Sequence, residues 1–148
     1  MREIKFRVYL DKMYYQNEYV EYDTNLAGID FLNKTVTFAA YTDGEEVDNL
    51  QKYSFDENNI LYKKDLKIMQ YTGLKDKNNK EIYEGDIFHI GSKKILYVVE
   101  WIDCGLKGRQ IKNKSWIGLD YWKDDIEIIG NIYENSELIK EVREIDGN

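Results

Sequence analysis

The sequence predicts a mainly β protein, a β-rich α+β fold, and three observations carry that prediction. Ile4, Phe6, Val8 and Leu10 alternate with Lys5, Arg7 and Tyr9, the period of a strand with one buried face. Aromatic residues make up 14% of the chain and include 13 tyrosines, a residue suited to half-buried sheets. Short apolar runs are separated by clusters of Asp, Asn, Gly and Lys, which favour turns.

In order along the chain, the first strand covers Ile4–Leu10 and Asp11-Lys12 turns it. Tyr14, Tyr15, Tyr19, Val20 and Tyr22 predict one or two further short strands, with Gln16-Asn17 as a turn. Ile29 and Phe31, then Val36, Phe38 and Ala40, flank Asn33-Lys34 as a hairpin. Thr42–Glu46 is a turn, and Val47–Asn59 reads equally as loop or short helix. Leu61–Tyr71 resumes a β pattern, and Gly73 suits a bend leaving that strand. Asp76–Asn79 is a polar loop. Glu81–Tyr83 is extended, and Glu84-Gly85-Asp86 turns into a strand at Ile87–Ile90. Gly91–Lys94 closes a hairpin onto Ile95–Ile102, a pairing that sets residue 89 opposite residue 96. Asp103–Lys114 reads as a loop, Ser115–Trp122 as a strand, and Ile126–Tyr133 as the last strand. Asn135 is placed to cap a closing helix near 135–145, with Leu138, Val142 and Ile145 on one face and Gly147 past its end.

The charge balance narrows function. The chain of 148 residues carries 28 acidic and 21 basic side chains, a net charge of −7. Residues 1–64 hold 8 basic and 12 acidic groups and residues 65–148 hold 13 and 16, so neither half has the positive field of a duplex-binding protein. A single cysteine, Cys104, excludes an internal disulfide and a cysteine-based zinc cage within one chain. No apolar run approaches the ~18 residues of a membrane helix, and the charged N-terminus is not a signal peptide. The expectation is a cytoplasmic protein with no membrane partner.

Four blocks of sequence carry a family resemblance: Arg2–Arg7 (REIKFR), Met69–Asp76 (MQYTGLKD), Ile82–Ile87 (IYEGDI) and Ile129–Asn135 (IGNIYEN). Together they resemble the YopX-like family of phage and prophage proteins, in family order across nearly the whole chain. Asn79 stands where a Gly is usual and Ser136 where a Pro is usual. The resemblance implies a mainly β fold whose C-terminal half is a small SH3-like barrel, and a setting inside a bacterial host cell. The family has no established activity, so it implies no catalytic residues. The expected domains are an N-terminal β unit over 1–64 and the SH3-like barrel with its helix over 65–148, sharing an interface as one compact body.

Several constellations bear on function. His89, the only histidine, and Cys104 would make a nucleophile pair only if close. The predicted hairpin separates residue 96, which faces His89, from Cys104 by about 26 Å at ~3.3 Å per residue. That leaves an edge or surface histidine and an unpaired cysteine. Asp76, Asn78 and Lys80 imitate the start of a calcium loop. Lys80 at the fifth position, Glu81 at the sixth and Ile87 at the twelfth break it, which favours a solvated loop with Asx turns. Glu84, Asp86 and Asp124, with Asp125 and Glu127, are the carboxylates a metal-dependent enzyme would use. Turn-making is the alternative role of Glu84-Gly85-Asp86.

The stretch Gly105–Trp116 (GLKGRQIKNKSW) holds Lys107, Arg109, Lys112 and Lys114 with no acid and ends in Trp116. Cations beside an aromatic ring suit phosphate contact and base stacking, with strong salt dependence. The alternative is a solvated loop with Trp116 in the core. Tyr14, Tyr15, Tyr19 and Tyr22 suit either a protein interface or the core and ordinary sheet surface. No cofactor, metal or catalytic residue is expected. The leading functional expectation is a non-enzymatic phage accessory protein that binds another protein or itself. A nucleic-acid-binding module using the 105–116 stretch comes next, and a metal-dependent enzyme last.

Overall fold

The computed structural model describes residues 4–16, 24–42, 45–46 and 51–140. Tyr19, Val20, Tyr22, Val142, Ile145 and Gly147, named above, lie outside them. The chain divides into two compact units, Phe6–Met69 and Met1–Lys5 with Gln70–Asn148. The protein is mainly β, built of curled antiparallel sheets.

In the Phe6–Met69 unit, β1 (Phe6–Leu10) and β2 (Met13–Gln16) form a hairpin. Its two-residue turn, Asp11-Lys12, takes positive φ at both positions (50° and 67°), which matches the strand twist. The alternation of β1 is as expected at Val8 and Leu10, both buried, whereas Ile4 precedes the strand and is exposed. A second hairpin joins β3 (Thr24–Asp30) to β4 (Thr35–Thr42), with a bulge between Leu26 and Gly28. Asp30 fixes its turn by accepting the N–H groups of Leu32 and Asn33, both at 3.0 Å. These backbone N–H groups hold the Asp30 carboxyl below its ordinary pKa. Strand β4 also pairs with β5 (Glu45–Glu46) and β6 (Gln51–Ser54), so the undecided stretch 47–59 contains a strand. Val8, Leu10, Leu26, Val36, Phe38 and Leu66 form the core of this unit, with Tyr15 set edge-on against Phe38 at 4.9 Å.

Strand β7 (Lys67–Lys75) begins later and runs further than the sequence suggests. Gly73 (φ 88°) does not end it. It sits in a bulge where β7 pairs with β8 (Glu81–Tyr83) through Tyr71–Tyr83 and Lys75–Glu81. The remaining strands form one sheet in the order β12-β11-β10-β9-β13: β9 (Asp86–His89), β10 (Tyr97–Ile102), β11 (Gly105–Gln110), β12 (Trp116–Ile117) and β13 (Glu127–Asn131). This sheet curls into a half-barrel over Ile82, Phe88, Tyr97, Val99, Leu119 and Ile126. The β9–β10 register, Phe88 with Tyr97, is the one the turn at Gly91–Lys94 predicts. Residues 136–140 begin the expected C-terminal helix.

Three expectations are corrected. The stretch 103–114 is not a loop throughout, because Gly108 serves packing rather than flexibility. Asp103-Cys104 makes a tight turn and residues Gly105–Gln110 return as β11. A Cβ on Gly108 would meet Phe88 Cζ at 2.5 Å, so only glycine lets this strand cross the buried ring. Ser115–Trp122 is not a strand throughout, since β12 covers two residues and Leu119–Trp122 forms a single helical turn, α1, that buries Leu119. His89 is not at the surface. It is 3% exposed, and its Nδ1 accepts the Gly91 N–H at 3.1 Å.

The blocks that carry the family resemblance make this architecture. Asp76 is buried and accepts three backbone N–H groups, from Asn78 (2.9 Å), Lys80 (2.9 Å) and Ile128 (3.1 Å). It closes the 76–80 loop and pins that loop to the edge strand β13. Asn79 takes φ 66°, so an asparagine does the work of the usual glycine. Asp86 accepts the Tyr83 N–H at 2.8 Å across the turn at Gly85 (φ 88°). Asn131 Oδ1 accepts the N–H groups of Tyr133 and Glu134, while Asn135 Oδ1 accepts the Asn131 N–H at 3.1 Å. The Asn135 side chain thus turns back to the strand instead of capping the first helical turn. It fills the space beside Gly130, where a Cβ would come within 2.1 Å of Asn135 Oδ1. Two backbone donors of β13 are therefore occupied, which blunts an edge that would otherwise invite pairing.

Candidate functional site

The β10–β11–β12 register sorts the basic stretch onto one face. Val98 faces Arg109, Glu100 faces Lys107, and Arg109 faces Trp116, while the alternate pairs Val99–Gly108 and Gly108–Ile117 point into the core. Lys107, Arg109 and Trp116 therefore share the outward face of the half-barrel. Lys112 and Lys114 lie on the exposed turn that follows β11. Trp116 is 52% exposed, which settles against a core position for it.

The cations of this face have partners. Arg109 Nε pairs with Glu100 Oε1, and its Nη1 donates to the Lys114 carbonyl at 2.8 Å. The Lys107 ammonium lies 4.1 Å from the centroid of the Trp116 ring and covers one of its faces. Beside Arg109 opens a groove of about 340 Å³, lined by Val98, Glu100, Arg109, Gln110, Ile111, Lys114, Ile132 and Ile139. Four aliphatic side chains make its apolar part. Glu100, Arg109 and Lys114 make its polar part. The sequence exposed the basic residues of this wall. It hid Val98, Ile132 and Ile139, which come from β10, the turn after β13 and the C-terminal helix, distant positions that no local pattern joins.

The carboxylates do not converge. Asp86 is committed to the Tyr83 N–H, Asp124 lies in an exposed turn, and Glu127 pairs with Lys77 at 2.7 Å. That hydrogen bond from Lys77 holds the Glu127 carboxyl below its ordinary value. Among the described residues, no group of three or more His, Cys, Asp and Glu is placed to hold a metal ion. Burial pushes the Glu84 carboxyl up, against the Gln70 N–H, which lowers it. Tyr133 is pushed up by burial and then by the charge of Glu84. For an acid with a raised folded pKa, the native state holds its proton to higher pH than the unfolded chain. The ionised carboxylate then destabilises the fold as pH rises above the unfolded value near 4.5. Glu84→Gln should leave stability unchanged or raise it by less than about 1 kcal/mol at pH 7, since Glu84 is only partly buried. That difference should vanish below pH ~4, as urea unfolding at the two pH values will read.

The sequence profile of the family described as YopX protein matches residues 5–140. The chain belongs to the YopX family. No curated protein is matched. Among solved structures, this YopX-family chain is similar to protein EF1440 from Enterococcus faecalis. The two share 23% identity and a TM-score of 0.56, over 94% of this chain and 99% of that one. At that identity the likeness speaks for the fold alone. No helix among the described residues of the YopX-family chain is long and apolar enough to cross a membrane.

Proposed function

We propose that the protein is a non-enzymatic phage or prophage accessory protein of the bacterial cytoplasm, and that it holds a segment of another protein in the groove beside β11. The observation that supports this reading is the make-up of the groove. Val98, Ile111, Ile132 and Ile139 offer an apolar lining, while Glu100, Arg109 and Lys114 sit where polar groups fix orientation. Its acid and its guanidinium neutralise each other, as suits recognition better than proton transfer.

Affinity capture from induced or infected cells, with nuclease treatment, tests the reading. Ile111→Asp combined with Lys114→Glu should melt within about 2 °C of the wild type and lose at least ~10-fold in captured protein. Equal capture by the variant would overturn the groove as the site.

Nucleic acid is the second reading, carried by the half-exposed Trp116 ring beside Lys107. Lys112 and Lys114 would add phosphate contacts. Gel shifts at low salt with single-stranded and duplex DNA or RNA decide it. If Trp116→Ala abolishes a shift, the second reading replaces the first; absence of any shift removes it.

A further inference from the structure

Among the described residues of the Phe6–Met69 unit, a group of exposed apolar side chains lies at one end of the β3–β4–β6 sheet, away from the basic stretch in sequence. Phe31, Leu32, Ile60, Leu61 and Tyr62 are 53%, 90%, 99%, 48% and 40% exposed. Two loops bring them together around Ser54-Phe55. The Phe55 N–H and the Ser54 hydroxyl both donate to the Lys34 carbonyl of the first loop, at 2.9 and 3.1 Å. Ser54 also exchanges backbone hydrogen bonds with Leu61 and Lys63 of the second, each at 2.9 Å. Side-chain hydrogen bonds cap both loops. Asp30 caps the first, and Asp56 and Asn59 cap the second by accepting the N–H groups of Asn58 and Leu61. An ordered tip with Leu32 and Ile60 almost wholly in water is costly to solvate and is the signature of an interface.

We infer that this tip binds a second copy of the same chain, in a two-fold contact; the inference deepens the reading of the protein as a protein-binding module. Charge selects the occupant. The two loops and the residues flanking them carry Asp30, Asp56 and Glu57 against Lys34, Lys63 and Lys64, and adding Asp65 and Lys52 keeps the balance. A balanced surface has no field to draw nucleic acid or an anionic membrane. Equal numbers of acids and bases leave the tip locally neutral, so no net repulsion opposes a two-fold contact of the tip with itself. A chain of net charge −7 repels its own copies, so they meet with least penalty through a locally neutral face. Area agrees. At about 180–200 Å² per fully exposed large side chain, the five residues open on the order of 600 Å². A standard interface buries roughly 800 Å² per partner, and the flanking residues supply the rest.

Sedimentation of the full chain tests the inference, in reducing buffer so that exposed Cys104 cannot cross-link. The wild type should pass from monomer to dimer between about 1 and 500 µM, and Leu32→Asp with Ile60→Asp should weaken association at least ~10-fold. Both positions are nearly fully exposed, so melting should not change. Wild type that stays monomeric throughout, or a tip variant that dimerises as well as wild type, overturns the inference. The Ile111→Asp, Lys114→Glu groove variant should still dimerise. A monomeric wild type that captures protein through the groove overturns the dimer alone and leaves the proposed function standing. A monomeric wild type whose capture depends on the tip overturns the second copy in favour of a different protein.

Discussion

Replacing Asp76 with alanine should cost about 3–5 kcal/mol and lower the melting temperature of the Gln70–Asn148 unit by at least ~12 °C. The carboxylate is 7% exposed and accepts N–H groups from Asn78, Lys80 and Ile128. Hydrogen bonds to a charged acceptor contribute about 1.5–3 kcal/mol each, and an orphaned buried donor costs about 1–3 kcal/mol. Water can reach the two loop donors once the carboxylate is gone. It reaches Ile128, on the edge strand, less easily. Asp76→Asn keeps a single oxygen acceptor and should fall between, near 1–2 kcal/mol. Urea unfolding followed by tryptophan fluorescence measures both. A loss below about 1 kcal/mol for the alanine variant would mean that the 76–80 loop is held by its backbone bonds alone.

Gly108→Ala should be the second large effect, at about 1–3 kcal/mol. The added Cβ would lie 2.5 Å from Phe88 Cζ and 3.1 Å from Cε1. The ring cannot retreat. Phe88 is fully buried and stacks on Tyr97 with centroids 5.3 Å apart and planes 14° from parallel. The clash predicts strong coupling. In a Phe88→Leu background, where the ring is gone, Gly108→Ala should cost less than about 1 kcal/mol. Additive costs across that double-mutant cycle would show that the strand yields instead of the ring.

How legible the fold was follows from the same two residues. Period-two alternation placed β1, and the Gly91–Lys94 turn fixed the β9–β10 register, since a hairpin turn sets every pair beyond it. Asp76 and Asp86 were readable as turn-makers from their Asx and Gly neighbours. The third bond of Asp76, to Ile128, was not, because it joins positions 52 apart in the chain. Strand β11 reads as a loop in the sequence because Gly108 and its polar neighbours resemble one, and the reason for Gly108, the Phe88 ring beneath it, is distant in the chain. His89 reads as an edge or surface residue because a polar residue in a hairpin usually faces water, whereas β13 pairs beside it and it is buried. For the candidate site, the sequence showed Lys107, Arg109, Lys112, Lys114 and Trp116 but neither their partners nor the apolar half of the groove. Glu100, which pairs with Arg109, comes from the neighbouring strand. The stretch that carries the family resemblance thus encodes bends and edge closure, and the surfaces suited to partners lie elsewhere.

That division of labour is the central claim, and one paired measurement tests it. Asp76→Asn and the Ile111→Asp, Lys114→Glu groove variant are compared in capture yield per folded molecule, well below their melting temperatures. The account predicts that Asp76→Asn, though less stable, captures the same proteins at wild-type yield, while the groove variant melts as wild type and loses at least ~10-fold. Full capture by the groove variant with loss in folded Asp76→Asn would contradict it and move the binding site to the loop that Asp76 closes.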